Sequence, residues 1–390
     1  MNNNQLNVLL LAPGGAGTHY NGAGTTFFRM YSHRANKRMN ITLLHGSPDQ
    51  KGGEDLYVEQ HQVGSLDGSF LSKLKFIKQA KKWIKKNHQQ FDVIHSITGF
   101  HLGLQPAHYA HSLGLPAVVT VAGHRSDLGT NASLFSRLMR FPQKKWKLAA
   151  AVDAMIATSS DIEQELLEVG VKEQSIYRIP YGVDSEKFLP VSQSEKLAMK
   201  QELKLAPDDL TVIFVGDSVP RKRPLLILQS LEKAVKAGAG IELAILGPTT
   251  NSDYVSEMKS FIRQHDLGER VHWFGMQENV SRFLSAADVF ILPSKGEGLP
   301  NAMLEAMAAG LPSIGTEISG IKDLIDDEQT GFMVAPSVER ISDRFQQLAG
   351  NRPLLTSMGT KARNKIEQKY ALPTVISQYE NLFRKIQRNC

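Results

Sequence analysis

Only one cysteine stands in the 390 residues, and it is the last of them, Cys390. A lone terminal thiol excludes a disulfide framework and a Cys-x-x-Cys metal site, and it fits a reducing cytoplasm. No apolar run approaches the roughly 18 to 20 residues that span a bilayer. The first apolar run, in MNNNQLNVLLLAPGG, has no basic segment ahead of it and ends in Pro-Gly instead of a cleavage site. It is expected to be a first β-strand and not a signal peptide. Low-complexity tracts and residue-level repeats are missing too. What is present is apolar bulk: 42% hydrophobic residues, ample for two cores, in a chain longer than one core usually serves. A formal net charge of +6 favours an anionic partner, whether nucleotide, nucleic acid or lipid surface.

Short apolar runs bounded by turn residues recur from the start: Asn7–Ala12, Ile41–Leu44, Asp92–His95, Ala117–Val121, Asp153–Thr158 and Ile176–Pro180. Helical patterns separate most of them, which is how a parallel α/β sheet reads in sequence. After a polar helical stretch around Ser192–Leu205, the alternation restarts with Thr211–Gly216, Ile241–Leu246, Val271–Phe274, Val289–Leu292, Ser313–Gly315 and Phe332–Val334. The expectation is an α/β protein of two doubly wound, Rossmann-like domains, residues 1–190 and 191–369, with a final helix at about 370–390 packing back on the first. Such sheets bind ligands beyond the carboxyl ends of their strands, so two of them facing each other would enclose an interdomain cleft.

The stretch EGLPNAMLEAMAAG, residues 297–310, reads as a buried helix that nevertheless carries carboxylates. Pro300 suits a first helical turn, Gly298 a tight entry and Gly310 an exit, so the helix is expected from about Pro300 to Ala309. Nearly every side is Ala, Met or Leu. Asn301 and Glu305 are the polar exceptions, four residues apart on one face. A carboxylate there is costly to bury without a partner, and the helix itself offers no Lys or Arg. Glu297 lies eight residues earlier, up to roughly 12 Å away at helical rise. That is wider than a glycosidase acid/base pair at about 5 to 9.5 Å. It suits one elongated ligand held at both ends, with the helix N-terminus between them favouring phosphate. Polyol, diphosphate and ribose in that order make a nucleotide-sugar. The alternative is a buried helix whose Glu305 pairs with a distant Lys or Arg while Glu297 complements the helix dipole.

Residues 271–334, VHWFGMQENVSRFLSAADVFILPSKGEGLPNAMLEAMAAGLPSIGTEISGIKDLIDDEQTGFMV, resemble the C-terminal nucleotide-sugar domain of glycosyltransferase family 4, the retaining GT-B enzymes. Glu297 and Glu305 fill the family's E-x7-E inside a P-S-x-x-E-G-L-P-N frame. The similarity runs upstream through IPYGVDSEKF, FVGDSVPRKRP and ILGP, and weakly into DVIHS and VVTVAG, so it covers most of the chain. The resemblance implies a GT-B fold and transfer of a hexose-type sugar from a UDP- or GDP-sugar to an acceptor hydroxyl. Transfer would retain configuration and need neither metal nor cofactor. Family acceptors are glycans, lipid-linked sugars and small molecules, in glycan, glycolipid or cell-surface polysaccharide synthesis. Carried over by position, Glu297 would contact the donor sugar, and the backbone of Gly298, Leu299, Pro300 and Asn301 would approach sugar and phosphate. Glu305 would hold the ribose, with Gly216 and Gly247 lining the donor site.

The family commonly reads G-R-x-x-x-x-K after the first strand of this domain, and here Gly216 is followed by Asp217. Lys222 matches the lysine, and Arg221 and Arg223 flank it as candidates to restore the missing charge. Asp217 is expected to pair with one of these arginines and orient it. In the N-terminal half the resemblance implies a glycine pair beneath diphosphate and acceptor. Gly22 and Gly24, expected just ahead of the first helix, are the candidates, with Gly14 and Gly15 as rivals. Where Ala122 stands the family frequently carries a histidine, so His124, two residues on, is a candidate catalytic substitute.

His101, His108 and His111 lack the carboxylate or cysteine spacing of a metal site, and read as acceptor-site or helix-surface residues. The run KLKFIKQAKKWIKK, residues 73–86, has seven lysines and no acid. Leu74, Ile77 and Ile84 are expected to form its buried stripe, with Phe76 and Trp83 on one flank. Lysines with edge aromatics suit an anionic membrane surface, so Lys73–Lys86 is a candidate peripheral contact on a cytoplasmic protein; a solvated helix face is the plainer alternative. The run lacks interleaved base-stacking aromatics, which argues against nucleic acid. The missing G-x-G-x-x-G argues against a dinucleotide enzyme. Among proteins of similar fold, a phosphorylase requires a Schiff-base lysine and a longer chain, and the epimerases lack the EGLPN frame. The remaining rival is a nucleotide-sugar binding protein without catalysis.

Overall fold

LNVLLLA is apolar on both sides, and a strand of that kind belongs where both faces of a sheet are covered. It forms β1 (Leu6–Ala12), bonded on one side to β2 (Met39–His45) and on the other to β4 (Val93–Ser96). In this computed structural model, which describes residues 5–15, 22–33, 35–47, 59–97, 101–121 and 151–388, the chain divides into two compact units. One comprises residues 1–182 and 372–390, the other 183–371.

The first unit holds a seven-stranded parallel sheet in the order β3-β2-β1-β4-β5-β6-β7. Here β3 is Glu59–Gln62, β5 Ala117–Val121, β6 Ala154–Ala157 and β7 Ile176–Arg178. Helices Gly22–Ser32, Phe70–Asn87, His101–Ser112, Ser160–Glu168 and Leu372–Gln387 belong to it. The last of these returns from the far end of the chain and packs on the sheet through an aromatic cluster. Tyr379 and Phe383 lie against the His95 ring, and Phe27 meets both His95 and Tyr379 edge-on. His95 is wholly buried: the Tyr31 hydroxyl bonds to its Nδ1 at 2.7 Å, and its Nε2 bonds to Thr120 Oγ1 at 2.8 Å. Burial lowers its pKa to about 3 and keeps it neutral.

The second unit is a six-stranded parallel sheet in the order β10-β9-β8-β11-β12-β13. Its strands are β8 (Leu210–Val215), β9 (Ile241–Leu246), β10 (Val271–Gly275), β11 (Val289–Leu292), β12 (Ser313–Thr316) and β13 (Gly331–Val334). Asp288, just before β11, ties outer helices to this sheet: it bonds to Lys200 at 2.8 Å, Lys196 at 3.0 Å and Arg352 at 3.3 Å. Burial opposes its charge, but Lys196 and Lys200 hold its pKa below the usual carboxylate range. Helix Gln193–Glu202, which supplies both lysines, starts at a Ser192/Glu195 capping box.

Several expectations need correction. Strand β3, EQHQ, is polar and lies at the sheet edge, where only one neighbour is needed and apolar patterning is not enforced. The helix of the EGLPN stretch spans Asn301–Ala308, with Pro300 as its N-cap. Gly22 and Gly24 lie inside the first turn of helix Gly22–Ser32 and not ahead of it. Leu74 points outward, 48% exposed. The buried stripe of helix Phe70–Asn87 is Phe76, Ile77, Ala80 and Ile84, and Leu74 sits two residues, about 200° of helix rotation, from Phe76. Among the described residues no helix is long and apolar enough to cross a membrane.

Candidate active site

In the six-stranded sheet the order reverses between β8 and β11, since β8 continues outward to β9 and β11 to β12. Loops leaving the carboxyl ends of two such strands diverge, and the space between them is the usual binding crevice of a doubly wound sheet. The β8 loop carries Gly216, Asp217, Arg221, Lys222 and Arg223. The β11 loop carries Ser294, Gly296 and Glu297, then enters helix Asn301–Ala308. The Lys295 N–H donates to the Arg221 carbonyl at 2.8 Å, joining the two loops.

Glu297 is the focus. Its Oε1 accepts from Ser294 Oγ at 2.8 Å and Arg221 Nη1 at 3.0 Å, and lies 3.4 Å from Lys222 Nζ. The same Arg221 nitrogen donates to the Gly296 carbonyl. The Ser294 carbonyl in turn accepts from Thr316 Oγ1 at 2.7 Å, which fixes the start of the loop on β12. Lys222 is folded down over Gly216: a Cβ at position 216 would sit 2.9 Å from Nζ. Glycine at 216 therefore leaves the room in which the ammonium rests. Gly247, at φ +128°, presses its backbone on the Gly216 carbonyl, where any Cβ would overlap.

Arg223 does not join Glu297. It occupies a left-handed conformation at φ 55°, as N-cap of helix Pro224–Lys236, and its Nη1 donates to the carbonyls of Pro293 and Ser294 at 3.2 and 3.4 Å. Asp217 pairs with neither arginine. Its Oδ2 accepts from Thr250 Oγ1 at 2.5 Å and its Oδ1 from the Thr250 N–H at 3.2 Å. The expectation of an Asp217 to arginine pair is thus overturned: Thr250 offers two donors from the β9 loop, and Arg221 is already engaged by Glu297. Asp217 is turned to a hydroxyl and an amide, so Arg221 and Lys222 share the single carboxylate of Glu297.

Glu305 is buried together with Met303, Leu304, Ala306, Met307 and Ala308, on a helix that follows the Glu297 loop directly. Leu299 is buried, and Asn301 is partly exposed at the helix start. In the other unit Gly15 follows β1 at φ 83°, its N–H donating to the Ala12 carbonyl at 2.8 Å. His124 and Ala122 lie outside the described residues. His111 Nδ1 pairs with Asp153 Oδ2 at 2.9 Å. Two contributors carried no role in the sequence reading. Ser294 stood inside the P-S-x-x-E frame, a signal that was present, whereas Thr250, 33 residues from Asp217, had no local signal.

Two family models cover most of the chain: "Glycosyltransferase Family 4" matches residues 20–187 and "Glycosyl transferases group 1" matches residues 195–365. A similar curated protein is the UDP-Gal:α-D-GlcNAc-diphosphoundecaprenol α-1,3-galactosyltransferase of Escherichia coli, 26% identical over 81% of this chain and 80% of that one. Another is the N-acetyl-α-D-glucosaminyl L-malate synthase of Bacillus anthracis, 24% identical over 67% of this chain and 65% of that one. Among solved structures, Anabaena HepE in complex with UDP and glucose superposes with a TM-score of 0.77 at 16% identity, covering 97% of this chain and all of that one.

Proposed function

We propose that this chain, which belongs to glycosyltransferase family 4, transfers a hexose-type sugar from a nucleoside-diphosphate sugar to an acceptor hydroxyl with retention of configuration. The observation that carries the reading is the convergence of Glu297, Arg221 and Lys222 at the carboxyl ends of β8 and β11, beside the helix that buries Glu305. Two cations side by side at that point suit a diphosphate. A carboxylate held by Ser294 suits sugar hydroxyls, and a second, buried one suits the ribose. The relatives favour UDP as the nucleotide, since the E. coli protein is named for UDP-Gal and HepE was crystallised with UDP.

In this reading Lys222 and Arg221 stabilise the charge that develops on the leaving diphosphate, and Glu297 orients the sugar. The leaving phosphate itself takes the acceptor proton on the face from which it departs, so no protein nucleophile is required. No metal is needed, because two cations already stand where the charge appears. Gly15, Gly22, Gly24 and His124 belong to the acceptor side, in the N-terminal unit. Lys73–Lys86 brings that unit to an anionic membrane face, and the acceptor lies in glycan, glycolipid or surface-polysaccharide synthesis.

Calorimetry with UDP and steady-state transfer assays test the division of labour. Glu305→Ala is expected to weaken UDP binding, whereas Glu297→Ala leaves UDP binding largely intact and lowers turnover and sugar discrimination. Equal losses of UDP affinity in both variants would refute the assignment. A protein that binds UDP-sugar and neither transfers nor hydrolyses it would be the non-catalytic binder.

A further inference from the structure

The described residues include seven large apolar side chains that stand exposed, and three of them cluster at one end of one helix: Phe70 at 71%, Leu71 at 76% and Leu74 at 48%. At 100° per residue, Leu71, Leu74, Lys75, Lys78, Lys82 and Lys85 fall within a single arc of about 100°. The buried stripe, Phe76, Ile77, Ala80 and Ile84, is centred on the opposite side. One outward face therefore begins with an apolar tip and continues as a row of lysines for about 15 Å. No acid interrupts it within the helix. Lys81 is not part of the row: it leans on the next helix, with its Nζ 5.7 Å from the Tyr109 ring centre. Ser69 caps the helix, so its apolar first turn is held in place.

Exposing Phe, Leu and Leu together gains nothing for the fold in water, and an uninterrupted lysine row repels itself. Both features become favourable against one kind of surface, in which apolar depth lies beside negative charge. We infer that this face docks on an anionic lipid bilayer, with Phe70, Leu71 and Leu74 entering the interfacial zone while Lys75, Lys78, Lys82 and Lys85 engage headgroups. The inference deepens the proposed transferase reading, on which it rests for its consequence: a protein held this way meets an acceptor carried in the membrane. Its new content is the apolar tip, which makes docking more than a charge contact.

Co-sedimentation with vesicles containing about one-third phosphatidylglycerol in phosphatidylcholine, compared with phosphatidylcholine alone, tests it. Binding is expected to the anionic vesicles and to weaken in high salt. The triple variant Lys78→Gln/Lys82→Gln/Lys85→Gln should lose about five-fold per lysine, on the order of 10² in all. Phe70→Ser and Leu71→Ser should each lose about ten-fold with unchanged melting temperature, since both side chains are exposed. Leu71→Trp fluorescence should be quenched by brominated lipid. Absence of binding would overturn the inference, and so would binding unaffected by Phe70→Ser and Leu71→Ser with Leu71→Trp unquenched. Self-association in sedimentation equilibrium that the same serine variants abolish would assign the face to a second copy and overturn it as well. UDP calorimetry on these variants keeps the two readings apart. Lost vesicle binding with intact UDP binding confirms that the face acts independently of the donor site, whereas wild-type protein that binds vesicles but not UDP counts against the proposed function alone.

Discussion

Replacing Asp217 by arginine would restore the residue the family commonly carries, and the structure indicates that this harms the protein. The carboxylate holds the β9 loop to the β8 loop through two bonds to Thr250, a hydroxyl at 2.5 Å and an amide at 3.2 Å. A partly exposed hydrogen bond to a charged acceptor contributes about 1 kcal/mol, so Asp217→Ala should cost roughly 1 to 2 kcal/mol. For a unit of this size each kcal/mol lowers the melting temperature by about 2 to 4 °C. Asp217→Asn, which keeps one acceptor oxygen, should lose about half as much. Thr250→Val removes the hydroxyl but leaves the amide, so a cycle with Asp217→Ala reads the hydroxyl bond alone, with a coupling of about 1 kcal/mol. Asp217→Arg loses both acceptors and adds a further cation beside Arg221, Lys222 and Arg223, so it should be the least stable of the series. Because Lys222 and Glu297 are held by other contacts, Asp217→Ala should raise the KM for the donor several-fold with kcat nearly unchanged. Thermal melts and steady-state kinetics on the four single variants measure this. If Asp217→Arg raises kcat/KM above wild type, position 217 is a weakened phosphate clamp and the loop-fastening argument is wrong.

Lys222→Ala should lower turnover by roughly 10² to 10³, and Arg221→Ala by a smaller but clear factor, because both cations share Glu297 at the site where leaving-group charge develops. Arg223→Ala should act on the melting temperature more than on turnover, since its guanidinium serves the Pro293 and Ser294 carbonyls; a kinetic loss matching that of Arg221→Ala would reverse these assignments. His95 predicts a pH effect. Its folded pKa of about 3 lies below the ordinary value of 6.5, so below pH 6.5 the unfolded chain takes up a proton that the folded one refuses. Stability present above pH 6.5 is then lost as pH falls towards 3, by on the order of 2 kcal/mol between pH 6.5 and 4.5. His95→Gln should be less stable at pH 7, where it disturbs the Tyr31 and Thr120 bonds, yet lose less over that range in urea melts. Parallel pH curves for the two proteins would exclude the histidine as the cause.

Periodicity and turn chemistry alone determined the two parallel α/β sheets, because buried parallel strands must be apolar along their length and must alternate with helices. They also determined that the helix after Glu297 is buried and carries Glu305. The family resemblance implied that Glu297 and Lys222 share one site, and the fold brings Lys222 Nζ to 3.4 Å from the Glu297 carboxylate. The tertiary structure decided what depends on choices between distant partners. Asp217 sits four and six residues from two arginines and still bonds to Thr250, because the close packing of Gly216 against Gly247 brings the β9 loop within reach. Arg221 and Arg223 are alike in sequence context. Only the left-handed turn at Arg223 sends its guanidinium to backbone carbonyls and leaves Arg221 for Glu297. Strand β3 has no apolar signature, since an edge strand is specified by its neighbour's free hydrogen-bonding groups and not by burial. Leu74 faces water because Phe76, Ile77, Ala80 and Ile84 already fill the contact with the sheet and the adjoining helix. Hydropathy records that a residue is apolar; which apolar residues are buried depends on the rotation of the helix once its neighbours are in place.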